Sequence, residues 1–250
     1  MFLGHFSQSS QSSAVISQWQ WAKKPTNTQY YFIKIMGSNL RMFLISLISL
    51  WLVHFSEGSK AEFVTFGTIL KLLNTDLRLR LHSHDVKYGS GSGQQSVTAV
   101  DTSDDHNSHW QVRPAMGDTF KRGSPIKCNT NIRLLHTTTE KYLHSHFFSS
   151  PLSGNQEVSC YGEGDSGDHW TVICNNDYWR RDTPVKLKHV DTGMYLAGSG
   201  RTFGRPISGQ GEVVGVASQY GAYTDWIAKE GMFVHPSDLL PHQHAIHSEL

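Results

Sequence analysis

The sequence predicts an all-β fold, a β-trefoil of three homologous units preceded by a signal peptide, on three observations. Turn-forming residues (Gly, Ser, Thr, Asp, Asn) are plentiful while long amphipathic helical stretches are absent. One ordered set of landmarks recurs three times along the chain. Within each recurrence, short alternating apolar segments are separated by turn signals, as in the "HVDTGMYL" of residues 189–196, where an Asp-Thr-Gly turn divides two strand-like halves.

The landmarks are these. Leu70-Lys71-Leu72 matches Ile132-Arg133-Leu134 and Val185-Lys186-Leu187, and two residues beyond the last leucine of each stand Asn74, His136 and His189. Leu81, Leu143 and Leu196 follow, then Ser92-Gly93, Ser153-Gly154 and Ser208-Gly209, then Val97, Val158 and Val213. Each unit ends on a tryptophan, Trp110, Trp170 or Trp226, with Val112, Val172 or Ala228 two residues past it. The leucines, valines and tryptophans are the expected shared core. The units span 61–116, 124–178 and 179–233, and their spacing accommodates four short strands each. A propeller needs at least about four blades. An open solenoid of three units would leave two unpaired edges. A trefoil closes six strands into a barrel and caps it with three hairpins, so it is the arrangement expected.

Two flanking segments address the chain to the secretory pathway. Arg41 precedes the apolar run Met42–Phe55, and Ser59 and Ala61 supply a small-x-small exit, so 36–61 reads as a signal peptide. The run is shorter than the roughly 20 apolar residues that span a bilayer, so no membrane span is expected in the mature protein. Residues 1–35 read as a disordered or mis-annotated leader, with translation expected to start at Met36 or Met42. Residues 234–250 form a flexible tail ending in His247, Ser248, Glu249 and Leu250, a variant of the His-Asp-Glu-Leu signal for retention in the endoplasmic reticulum lumen. Three cysteines allow one bridge and one remaining thiol in that compartment.

Several chemistries are not expected. Formal net charge is +1, which does not suit a nucleic-acid partner held by bulk electrostatics. Gly-x-Ser-x-Gly, His-Glu-x-x-His and phosphate-loop motifs are absent, so neither an enzyme nor a cofactor is expected. His136 occupies a repeat position filled elsewhere by Asn74 and His189, which reads as turn chemistry. The pairs His82/His84 and His144/His146 each share a strand face, but the third unit has Ala197 and Ser199 there, and a metal site needs three or four converging ligands. No metal site is therefore expected. The acidic stretch Gly162–Trp170, "GEGDSGDHW", reads as a solvated turn, since its spacing does not match a calcium loop.

The stretches "KLLNT…LRLHSHDVKYGSGSGQQSVT", "LHSHFFSSPLSGNQEVS", "DHWTV" and "GRPISGQGEV" resemble the MIR repeats of the stromal cell-derived factor 2 family, from about Glu62 onward. The MIR unit also occurs in protein O-mannosyltransferases and in inositol trisphosphate and ryanodine receptors. The resemblance implies a β-trefoil. It implies a lumenal, non-catalytic adaptor in folding quality control and the unfolded protein response. The expected partners are a J-domain co-chaperone, a BiP-type chaperone, and secretory or membrane-receptor clients. An alternative is a lectin-like module that binds mannose or O-mannosyl glycans by stacking them on Tyr88, Phe147, Phe148 and Phe203. Animal members carry a cysteine pair where this chain has Phe66 and Phe120. Cys128 and Cys174 bracket the second unit at its first and last strands and are expected to be bridged, with Cys160 left as a free, buried thiol.

Overall fold

The computed structural model describes residues 62–221 and 223–235. The expected leader, signal peptide and retention signal lie outside the described residues. Twelve strands carry the fold: β1 (Ile69–Asn74), β2 (Arg80–Lys87), β3 (Gln95–Val100), β4 (Trp110–Pro114), β5 (Asn131–His136), β6 (Lys141–Ser149), β7 (Gln156–Tyr161), β8 (Trp170–Ile173), β9 (Lys186–His189), β10 (Tyr195–Thr202), β11 (Gly211–Val216) and β12 (Trp226–Met232).

All named pairings are antiparallel. β1 pairs with β4 and β12, β5 with β4 and β8, and β9 with β8. A bridge between Val185 and Trp226 closes the ring of six. The remaining strands form the hairpins β2–β3, β6–β7 and β10–β11. Their second strands meet pairwise: β3 with β7, β7 with β11, and β11 with β3. That triangle is the cap of a β-trefoil, and it removes the edges that separate hairpins would expose.

The turn after the first strand of each unit shows why the sequence repeats locally. Arg78, Glu140 and Gly193 each return an N–H to the carbonyl four residues back, at Asn74, His136 and His189. All three have positive φ, at 59°, 54° and 72°. Only the third unit uses the residue with no steric penalty for it.

Leu81, Val97, Trp110, Leu143, Val158, Trp170, Leu196, Val213 and Trp226 are all fully buried in one cluster. Each indole N–H donates to the carbonyl of its own unit's leucine: Trp110 to Leu81, Trp170 to Leu143, Trp226 to Leu196, all at 2.9 Å. The bond lets a tryptophan occupy a dry core without stranding its polar atom. Burying each such side chain contributes roughly 1.5–3 kcal/mol, which no single unit could multiply into a stable domain.

Cys128 and Cys174 form a disulfide with Cα atoms 5.5 Å apart, closing a separation of 46 residues. Such a loop stabilises by roughly 4 kcal/mol in the chain-entropy picture. Cys160 is free and buried, and burial pushes its thiol up to about 12, which leaves it protonated and unreactive. Phe66 and Phe120 pack ring to ring at 5.6 Å, an apolar contact in place of a crosslink. Phe233 lies under the Arg181 guanidinium at 4.2 Å, and Val234, the first residue assigned to the tail, is bonded to Thr65 and Thr68 and so still belongs to the barrel. Among the described residues, no helix is long and apolar enough to cross a membrane.

Candidate functional site

The polar residues of the repeats sort into those that hold the fold and those that line open grooves. The repeat position of Asn74, His136 and His189 belongs to the first kind. His136 Nε2 donates to the Asn107 carbonyl and its Nδ1 accepts from Thr139 Oγ1, both at 2.8 Å. His189 does the same with Gly167 and Thr192. A carbonyl can only accept, so both rings are neutral with the proton on Nε2. Burial pushes His136 down to about 4 and also lowers His189. Asn74 plays the same part with its amide, donating to Tyr223 O and accepting from Leu77 N.

The His-x-His pairs make two parallel chains of contacts. Asp105 accepts from His82 Nδ1 at 2.8 Å, and His82 Nε2 meets His84 Nδ1 at 2.7 Å. In the next unit Asp168 accepts from His144 Nδ1 at 3.0 Å, and His144 Nε2 meets His146 Nδ1 at 3.3 Å. His84 and His146 are both lowered, first by burial and then by the neighbouring imidazole. His144, Asp165 and Asp168 are close enough to suggest a metal. The two carboxylates also build a capping box on the 3-10 turn Ser166–Asp168, with Asp165 accepting from Gly167 N and Asp168 from Asp165 N. The acidic stretch is thus a capped turn that orients His144.

Two buried carboxylates, Glu157 and Glu212, have no counterpart among the residues singled out from the sequence. Glu157 accepts from Ser92 Oγ and, at 3.3 Å, Ser92 N, so a residue of the second unit holds the hairpin tip of the first. Glu212 accepts from Leu152 N at 2.8 Å and Ser153 N at 3.2 Å, holding the tip of the second unit. Burial disfavours the Glu212 anion, but these N–H groups and the Ser199 and Ser153 hydroxyls outweigh it and keep its pKa below the ordinary value. The available signal was a charged residue beside the repeat valine, in "QEVSC" and "GEVVG".

The four aromatic residues expected to stack glycans separate sharply. Tyr88 is a correction: it is 7 % exposed, and its hydroxyl donates to the Val97 and Val158 carbonyls across two units. A ring so enclosed offers no face to a sugar. Phe203 is half-buried and packs on Tyr88 at 6.4 Å. Phe147 is 80 % exposed, and Phe148, beside it on β6, is 46 % exposed with its ring against His146.

Phe147 borders a groove of about 240 Å³ between the second and third units, with His146, Asp165, Ser166, Asp191 and Thr192 on its walls. A larger groove of about 460 Å³ between the first and second units is lined by His84, Asp85, Asn107, Thr138, Thr139 and Lys141. The two occupy the same position relative to their units. The groove between the second and third units has a phenylalanine wall and the groove between the first and second does not.

Residues 68–178 match the MIR domain. Stromal cell-derived factor 2 of Homo sapiens is 54 % identical over 196 residues, 77 % of this chain and 92 % of the human protein. This chain belongs to the stromal cell-derived factor 2 family. The Arabidopsis thaliana stromal cell-derived factor 2-like protein is 44 % identical over 72 % of this chain and 84 % of its own length. The family trefoil is also seen in solved structures. A Caenorhabditis elegans protein described as of unknown function matches with TM-score 0.66 and 56 % identity, covering 69 % of this chain and 99 % of that one. The S. cerevisiae protein O-mannosyltransferase complex bound to the sugar donor matches with TM-score 0.62 and 28 % identity, covering 75 % of this chain but 28 % of that one.

Proposed function

We propose that this family member is a non-catalytic adaptor of the endoplasmic reticulum lumen. In this reading it binds a J-domain co-chaperone together with a BiP-type chaperone and assists maturation of secretory or membrane-receptor clients. The observation that carries the reading is family membership across nearly the whole of the human relative. The chemistry of the fold supports it. His136 and His189 are committed to carbonyls and threonine hydroxyls, Glu212 accepts from the N–H groups of a hairpin tip, and Cys160 is held protonated. The test is affinity purification of the tagged mature chain from secretory cells, with and without glycosidase. Recovery of the J-domain and BiP-type proteins in both samples is the expected result, and their absence from both overturns the adaptor reading.

A second reading is that the same trefoil also binds mannose-type glycans. The exposed Phe147 beside a polar groove supports it, as does the structural likeness to a mannosyltransferase. Capture of clients that ends when glycans are removed is the outcome this reading expects.

A further inference from the structure

Resting on the second reading, we propose that the groove walled by Phe147, Asp165, Ser166 and Asp191 is a binding site for a single hexose residue, and that its symmetry-related groove beside His84 is not.

Pseudo-threefold symmetry supplies an internal control that separates fold from function. The positions equivalent to Phe147 are Asp85 and Gly200, each one residue past His84 and Ser199. The fold therefore makes no demand for a ring there. Phe147 is also not packing: it is the most exposed of the large hydrophobic residues described, at 80 %. A pyranose presents an apolar C–H face and a rim of hydroxyls. The first requires a flat ring open to solvent, and the second requires fixed acceptors and donors at the ring's edge.

The groove holds both. Asp191 accepts from Ser166 Oγ at 2.6 Å, which positions it and leaves lone pairs for sugar hydroxyls, while Asp165 is fixed more firmly, accepting from Gly167 N at 2.8 Å and from the Asp168 backbone and lying 3.4 Å from His144 Nδ1. Thr192 is held by His189 and by Gln156 Nε2, both at 2.8 Å, which fixes the floor. Asp165 and the Ser166–Asp168 turn belong to the second unit and Asp191 to the third, so the site forms only when the units dock. In the first groove Asp85 stands where the ring would be, and Lys141 lies 3.5 Å from it, so a surface ion pair occupies the same place.

The test uses the full mature chain. Methyl α-mannoside and a panel of oligomannose and O-mannosyl glycans are titrated against the isotopically labelled protein while backbone amide shifts are followed. The expected result is saturable shifts confined to the Phe147–Ser149, Asp165–Gly167 and Asp191–Gly193 amides. Phe147→Ala and Asp191→Asn are each expected to weaken binding by about tenfold, and Asp85→Ala to leave it unchanged. All three positions are exposed, and an unchanged thermal midpoint shows that the variants remain folded. Saturable binding that survives both groove variants overturns the site while leaving the glycan reading intact. No shift with any sugar overturns the glycan reading and the site together.

Discussion

At the scale of single residues, His136 links structure to a measurable pH response. Its ring is neutral because the Asn107 carbonyl accepts from Nε2–H, Nδ1 accepts a hydrogen bond from the Thr139 hydroxyl, and burial disfavours the charged form. The folded pKa near 4 lies below the value of about 6.5 expected in the unfolded chain. Between those values the unfolded chain binds the proton and the folded chain does not. Stability contributed by the neutral ring is therefore fully present above pH 6.5 and drains away as the pH falls toward 4, by an amount on the order of 3 kcal/mol. Asn74 fills the equivalent place with a group that does not titrate. His136→Asn is thus expected to reduce the pH dependence of the unfolding free energy by about one proton across this window. Urea denaturation at half-unit pH steps measures it, and an unchanged slope would mean that the ring is not held neutral. The sequence made this role legible, because an Asn at one of three homologous positions is incompatible with a shared catalytic imidazole. It could not reveal Tyr88. Tyr88, Ser150 and Phe203 occupy the same place at their hairpin tips, each returning an N–H across the tip to Gln94, Asn155 and Gln210. Tyr88 reaches carbonyls of two units, and small Ser150 stands at its equivalent place in the second. Which of three equivalent tips turns inward depends on packing among units, and no local pattern encodes it.

At the scale of elements, the hairpins are where the units grip one another. Glu157 on β7 reaches the tip between β2 and β3, and a Cβ at Gly91 would fall on its Oε2 atom. Gly93, two residues along the same tip, has nearly the same φ, 67° against 70°, but open space around it. Replacing either by alanine incurs the left-handed penalty of roughly 1 kcal/mol. Gly91→Ala also displaces the carboxylate from its Ser92 partners, so it is expected to cost roughly 2–3 kcal/mol in total. Chemical denaturation of the two variants side by side isolates the latch, and equal losses would remove it from the argument. The strands themselves were readable from sequence because their tryptophans and leucines meet the same dry surroundings three times. The latch was not readable, since a buried carboxylate beside a valine looks in sequence like an outward-facing strand residue.

At the scale of the whole molecule, three junctions of one design would leave the order of closure underdetermined, and the third junction is built differently. At the first, Gln95 Nε2 donates to Ser83 and to Thr139 of the next unit, both at 2.8 Å. At the second, Gln156 Nε2 donates to Ser145 at 2.7 Å and Thr192 at 2.8 Å. At the closing junction the register puts Gly198 and Gly211 in the places of the serine and the glutamine, and Leu77 in that of the threonine. A Cβ at Gly198 would strike Leu77, and one at Gly211 would come within 2.8 Å of Leu79 Cδ1. Two leucines of the first unit thus fill hollows that only the third provides, while the polar partners of the other junctions find no mates there. The third unit is thereby matched in shape to the first. If the substitution is a coupled exchange, Gly198→Ser alone should destabilise by roughly 2 kcal/mol through overpacking. The triple variant Leu77→Thr, Gly198→Ser, Gly211→Gln should recover at least about 1 kcal/mol relative to the sum of its single changes. A complete set of single, double and triple variants in urea measures that coupling. Simple additivity would mean that the leucines merely cover glycines, and that closure is specified by the barrel strands alone.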